Sequence, residues 1–372
     1  MSGQPNIFKF ATSELSQDAF ICWLLSYVNH PQDEKLNKCA KEFVALLYNL
    51  YNSKRGLAQI KSGDVEKVEN LKRQYCHTDV YFWAVINCKR VPFIIEDKTY
   101  TSHHSEQLKK NKEAVIKKDN INEKELVCIY YKTWYIFPED EKAEKEYGYK
   151  IFDYKRIHIF LQNYKTDNLI FESYKEYIKE IYDLCENYKN LWQKDDYECF
   201  KYDFAQLEFM KKLSERCPEK APYNYVGQIY NDYNRGGTPW AQLYFAEFKD
   251  ILPGKISENL FYRLDNKRKS PETKKTEYYL SIKQYAKVKD NPEAKQKKLE
   301  RLEKYREIFH KIAKGTSLDF SNVRKDRSGA NESEIGALFF DKEKHKPTTV
   351  LEQIGKIHEQ FAKEIQSTMV PS

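Results

Sequence analysis

Glu96, Asp97 and Lys98 stand in a row near the end of VPFIIEDKTY, residues 91–100, directly after four apolar residues and a proline. Burying a charge is costly unless it is paired or bound to metal, so the run marks either a strand's exit from the core or a site. In a strand, Glu96 and Lys98 point to one face and Asp97 to the other. The preceding apolar run, TDVYFWAVIN at 78–87, carries its only acid, Asp79, near its start. A hairpin closed around residues 87–90 by an even loop makes paired positions sum to 177. Asp79 is then opposite Lys98 and diagonal to Glu96, near enough for two carboxylates to share one cation. An odd loop slips the register by one and sets Asp79 beside Asp97 instead.

Two carboxylates and a lysine on one face suit metal-assisted hydrolysis of a phosphodiester. Mg²⁺, or Mn²⁺ in its place, is a hard ion that takes one or two protein carboxylates and completes its shell with water and substrate phosphate. Asp79, Glu96 and the backbone carbonyl of Asp97 are the expected metal donors, and Lys98 would orient the attacking water or offset charge on the phosphate. The triplet alone is weak, because an acid, any residue and then lysine should recur by chance roughly eight times in this composition. Glu247-Phe248-Lys249 is a rival that also ends a strand-like run.

The flanking elements strengthen the reading. Residues 16–30 predict a helix apolar on nearly every side, and 33–52 a second one with a stripe of Leu36, Cys39, Phe43, Leu46, Leu47 and Leu50. Strands are expected at 65–75, 78–87 and 91–98, a polar helix at 104–118 and a strand at 125–132. Residues 138–149 read as a charged loop or edge hairpin, and helices are expected at 153–163, 169–190 and 196–215. Beyond residue 220 the texture changes: strands near 234–248, 259–266, 276–287 and 334–341 flank a basic helix at 291–314, before a closing helix at 348–366.

That order, together with NIFKFATSELSQDAFICWLL at the front, TDV at 78–80, IIEDKTY at 94–100 and Gln107-Leu108, resembles a bacterial subgroup of the PD-(D/E)XK nuclease superfamily. The resemblance covers about residues 5–135. It implies an α/β (α+β) protein with a restriction-endonuclease-like αβββαβ core, and Mg²⁺-dependent cleavage of DNA leaving a 5′-phosphate and a 3′-hydroxyl. It assigns catalytic places to Asp79, Glu96 and Lys98, to Glu14 as a helix-borne acid and to Gln107 on the helix after the third strand. Thr78 stands where proline is common, Asp97 where many members are apolar, and Asn111 where a tyrosine often follows the glutamine. The expected domains are a nuclease-like core at 1–165, a helical connector at 166–220 and a basic, Tyr-rich α/β module at 221–372. A part in bacterial defence against foreign DNA follows only by analogy of fold. The alternative is a nuclease scaffold that binds nucleic acid and cleaves nothing.

Composition narrows the partners. The chain has 372 residues, 41% of them hydrophobic, 29 tyrosines and a net charge of +7. Residues 263–314 hold 17 Lys and Arg against 8 Asp and Glu, more than the whole excess. Lys267, Arg268, Lys269, Lys274 and Lys275 are therefore the expected nucleic-acid contacts, the other reading being a solvated helix face and a loose basic loop. No apolar stretch reaches membrane-spanning length and MSGQPNIFKF lacks the layout of a signal peptide, so a cytoplasmic protein with no membrane partner is expected. Oligomeric state is open, a homodimer included. The eight cysteines form no CxxC pair and read as reduced thiols. Asp18 reads as an acid favoured by the helix dipole, His103 and His104 as surface, and NRGGTPW at 234–240 as a tight turn rather than a phosphate cradle.

Overall fold

The computed structural model describes residues 5–11, 13–53, 55, 56, 58–102, 106–188, 196–216, 227–233, 238–272, 274–321, 331–341 and 343–369, without the side chains of 233, 266, 267, 276 and 366–369. The chain divides into two units, Met1–Cys185 and Glu186–Ser372. The division falls inside the segment 166–220 expected as a connector.

The first unit begins with helices α1 (Glu14–Ser26) and α2 (Glu34–Asn52). Strands β1 (Val65–Tyr75), β2 (Thr78–Ile86) and β3 (Lys89–Lys98) follow, then α3 (Gln107–Asp119) and β4 (Val127–Lys132). The order helix, helix, three strands, helix, strand agrees with the sequence reading. Helix α4 (Pro138–Lys145), strand β5 (Lys150–Asp153), and helices α5 (Tyr154–Gln162) and α6 (Leu169–Tyr188) complete the run, α6 reaching across the division.

The five strands form one mixed sheet in the order β1-β2-β3-β4-β5. The first three are antiparallel, and β4 and β5 join in parallel. Phe82 and Phe93 pair across β2 and β3 and stack at 4.7 Å, on the face that carries Tyr131, against which Phe43 of α2 packs. Such an aromatic cross-strand pair contributes about 0.2–1 kcal/mol. The opposite face carries Tyr81, Ile94, Glu96, Lys98, Tyr130 and Lys132 and is met by side chains of α3 and α4.

Residues 138–145, expected in a loop or hairpin, are helical. Pro138 fits the first helical turn, three acids follow it there, and Lys142 and Lys145 lie towards the other end, which suits the helix dipole. Asp140 accepts the Phe137 backbone N–H at 2.9 Å and the Tyr130 hydroxyl at 2.6 Å, with the buried ammonium of Lys132 at 3.5 Å.

The second unit holds α7 (Asp203–Ser214), β6 (Gln228–Tyr233), β7 (Pro239–Leu252), β8 (Ile256–Lys269), β9 (Thr276–Tyr285), α8 (Pro292–Ala313), β10 (Asp319–Ser321), β11 (Glu332–Phe339) and α9 (Pro347–Met369). Its sheet runs β10-β11-β9-β8-β7-β6, antiparallel throughout. Between this sheet and α8, the buried carboxylate of Glu258 accepts Arg301 at 2.7 Å, the Tyr305 hydroxyl at 2.8 Å and the Gln284 amide. At Gly336 a Cβ would meet the Phe309 ring at 2.1 Å, so any larger residue forces that ring to move.

The molecule is thus mixed α/β, with one mixed and one antiparallel sheet. Among the described residues no helix is long and apolar enough to cross a membrane.

Candidate active site

The turn between β2 and β3 decides the register. It consists of Asn87 and Cys88 alone, both left-handed, with φ of 46° and 61°. A two-residue hairpin turn of type I′ needs positive φ at both central positions, a role usually taken by Asn-Gly. Ile86 therefore pairs with Lys89 and Val80 with Ile95, so the expected register is corrected by two residues. Asp79 comes opposite Glu96, and Lys98 takes the diagonal place. A shift of two keeps the face, so the three expected side chains still lie together.

Lys98 Nζ is 3.0 Å from Glu96 Oε1, 3.5 Å from Glu14 Oε2 and 4.0 Å from Asp79 Oδ2. Glu14 reaches this point from the first turn of α1, its Oε1 accepting the Thr101 hydroxyl at 2.9 Å and the Thr99 N–H at 3.4 Å. Gln107 opens α3 and donates to Glu96 Oε1 at 3.0 Å; Asn111, one turn on, donates to Glu96 Oε2 at 3.3 Å and to the His77 carbonyl at 2.9 Å. The backbone of Asp97 also faces the cluster, its N–H donating to Asp79 Oδ2 at 2.8 Å, while Gln74 donates to Asp79 Oδ1 at 3.0 Å. Asp79, Glu96, Lys98, Glu14 and Gln107 thus form one connected group.

Its electrostatics are those of crowded, desolvated acids. Burial, then repulsion from Asp79, pushes the Glu96 carboxyl up to about 7 against the opposing pull of Lys98. Burial also raises Asp79, although Lys98, the Asp97 N–H and Gln74 work the other way. For Lys98, burial favours the neutral amine, yet Glu96, Glu14 and Asp79 together hold its pKa above the ordinary lysine value. Three acids and one ammonium leave an excess of negative charge that a further cation would balance. Among the described residues no group of three or more His, Cys, Asp and Glu is arranged to hold a metal. Asp79 and Glu96 are the two carboxylates that face each other across the hairpin, and Mg²⁺ is an ion that needs only one or two protein carboxylates.

No family model, no curated protein and no solved structure matches the chain.

Asp18, expected as an acid favoured by the helix dipole, is not in the first turn of its helix. It lies in the second turn of α1, fully buried, 3.8 Å from Arg73 and 3.5 Å from Gln74, with Oδ1 unpartnered. Burial and then Asp79 push it up to about 7. Asp97, on the other sheet face, is fully buried with neither carboxyl oxygen hydrogen-bonded, and burial raises it well above the usual carboxylate range. In the rival triplet, the residue paired with Glu247 on the neighbouring strand is Asn259, which is no acid.

Sequence reasoning assigns no role to Gln74, Asn111, Thr99, Thr101 or Lys132, because short polar side chains carry no pattern of their own. Lys132 donates to the Thr101 carbonyl at 2.5 Å, so the Asp140–Lys132 pair steadies the loop that holds Glu14.

Several of the expected nucleic-acid contacts have partners within the protein. Arg268 is engaged with Glu334 at 2.7 Å and with Ser321 at 2.9 Å, and lies near the rings of Tyr279 and Phe339. Lys275 pairs with Glu343 at 2.5 Å, Lys274 donates to the Pro271 carbonyl, and Lys269 is exposed. On the basic helix α8, Lys298 and Arg301 are buried, and the exposed charges are Glu293, Lys297, Glu300, Glu303, Lys304, Glu307 and Lys311, which is no basic face. Residues 103, 104, 217 and 234–237 lie outside the described residues, as does the side chain of Lys267. The seven described cysteines are free thiols, with Cys88 exposed.

Proposed function

We propose that the first unit is a metal-dependent nuclease that hydrolyses phosphodiester bonds of DNA. The observation that carries this reading is the convergence of Asp79, Glu96 and Glu14 on the single ammonium of Lys98 at the end of the central hairpin. The sheet order and the helices that flank it agree with the αβββαβ arrangement of the superfamily that the sequence resembles.

Asp79 and Glu96 would hold Mg²⁺ or Mn²⁺, which supplies Lewis-acid neutralisation at the scissile phosphate. Gln107 and Asn111 fix both oxygens of Glu96, and the Asp97 N–H and Gln74 fix those of Asp79, so neither carboxylate reorganises during reaction. Lys98 is placed to orient the attacking water or to balance charge developing on the phosphate. Glu14 draws the ammonium towards the solvent side, because it is the most exposed of the three acids.

With wild-type protein, Mg²⁺ or Mn²⁺ and labelled DNA, cleavage is expected, with loss in EDTA. Lys98→Ala should lower the rate by about 10²–10³, the usual size for one preorganised charge-stabilising group. Circular dichroism would verify that the variant folds. The ammonium already partly neutralises the three acids, which favours a second reading, a nuclease scaffold that binds DNA without cutting it. Salt-sensitive binding by both proteins, with product from neither, would establish that second reading.

A further inference from the structure

We infer that Lys72 and Lys118, set against the ring of Tyr75, grip the phosphate backbone of the DNA presented to the neighbouring acids, an inference that rests on the nuclease reading. Tyr75 ends β1, its carbonyl accepts the Thr78 hydroxyl, and the residue after Thr78 is Asp79; Gln74, just before Tyr75, holds Asp79 at 3.0 Å. The platform is fixed. The Tyr75 ring stacks on Tyr81 at 4.6 Å, and both hydroxyls are tied to Asp119, that of Tyr75 at 2.6 Å. The Trp83 indole N–H donates to the Tyr81 hydroxyl at 2.5 Å.

Two cations meet on this ring. Lys72 Nζ and Lys118 Nζ are each 4.3 Å from the Tyr75 centroid, so they are no farther apart than twice that distance. Both side chains are exposed, and among the described residues neither has an ion pair with an acid. Like charges this close repel, and the attraction of each cation to the ring is weak. An anionic partner would remove the repulsion. A nucleic-acid strand carries one charge per about 3.4 Å of duplex axis, so the two ammoniums match neighbouring or next-neighbouring phosphates.

The contrast with the second unit favours this surface. There Arg268, Lys275, Lys283, Arg301 and Lys311 each have an acid from outside residues 263–314 within 2.9 Å, so part of that segment's excess is countered within the protein.

The test is binding of labelled single-stranded and duplex oligonucleotides to the full chain in Ca²⁺ over a KCl series. The double variant Lys72→Gln with Lys118→Gln should flatten the slope of log affinity against log salt by about 2, roughly one for each phosphate that is no longer neutralised. Lys72→Arg with Lys118→Arg should keep the wild-type slope, as should Lys274→Gln with Lys275→Gln. A wild-type slope in the first pair, or a flattened one in the last, overturns this inference and leaves the nuclease reading standing. Absence of salt-dependent binding by the wild type to either oligonucleotide overturns both.

Discussion

Glu96 is 1% exposed, faces Asp79 across the hairpin and has a carboxyl pushed up to about 7. A divalent cation needs it ionised. Below about pH 7, Mn²⁺ affinity measured by calorimetry should fall roughly tenfold per pH unit, and above it the affinity should level off, because one proton must leave for the metal to bind. Asp97, one residue on, gives a stability prediction with its own sign. Its folded pKa lies well above the unfolded value, so the native state binds the extra proton, and this group's contribution to stability is lost as pH rises through that range. Asp97→Asn should therefore stabilise the protein by about 1 kcal/mol or more at pH 8 and by less at pH 5, measured by urea unfolding. Equal effects at both pH values would show that Asp97 is ionised and paired. The presence of an acid at position 97, on the sheet face away from Glu96, is legible in the alternation of a strand. That its carboxyl oxygens find no hydrogen-bond donor is not, because α1 and the neighbouring strands decide what surrounds it.

The elements of the first unit differ in how readable they are from their parts. The apolar runs at 78–87 and 91–98 specify the strands and, through period two, the face shared by Asp79, Glu96 and Lys98. The pairing itself is not specified, because Asn87 and Cys88 adopt left-handed φ without a glycine to announce it. The helix at 138–145 escapes a sequence reading for a related reason: its charge density reads as loop until the cap and the buried Asp140 are seen together. In the second sheet, β11 must pass directly beneath α8 at Gly336. Gly336→Ala should lower stability by about 1–3 kcal/mol through overpacking against Phe309, measured as a shift in the urea midpoint with the slope unchanged.

At the scale of the whole molecule, the acids of the site are partly countered by Lys98, so the fold should not depend on metal. EDTA should leave the thermal midpoint unchanged, whereas Mn²⁺ at a hundred times its dissociation constant should add about 2.7 kcal/mol by mass action. A collapse in EDTA would mean a structural metal instead. Charge at this scale also behaves differently from its sum. The basic excess of residues 263–314 is plain in the sequence, yet its destination is not, since ion pairing depends on which acids the sheet and helices bring within reach. By itself the sequence determined the order of elements from α1 to β4, the face of the strand on which each acid stands, and the mixed α/β class, because apolar periodicity is local. Only the tertiary structure decided the register, the meeting of Glu14 and Gln107 with Glu96 and Lys98, the burial of Asp18, and which of the described lysines have an acid beside them. Those outcomes depend on contacts between residues far apart in the chain, and no local pattern encodes them.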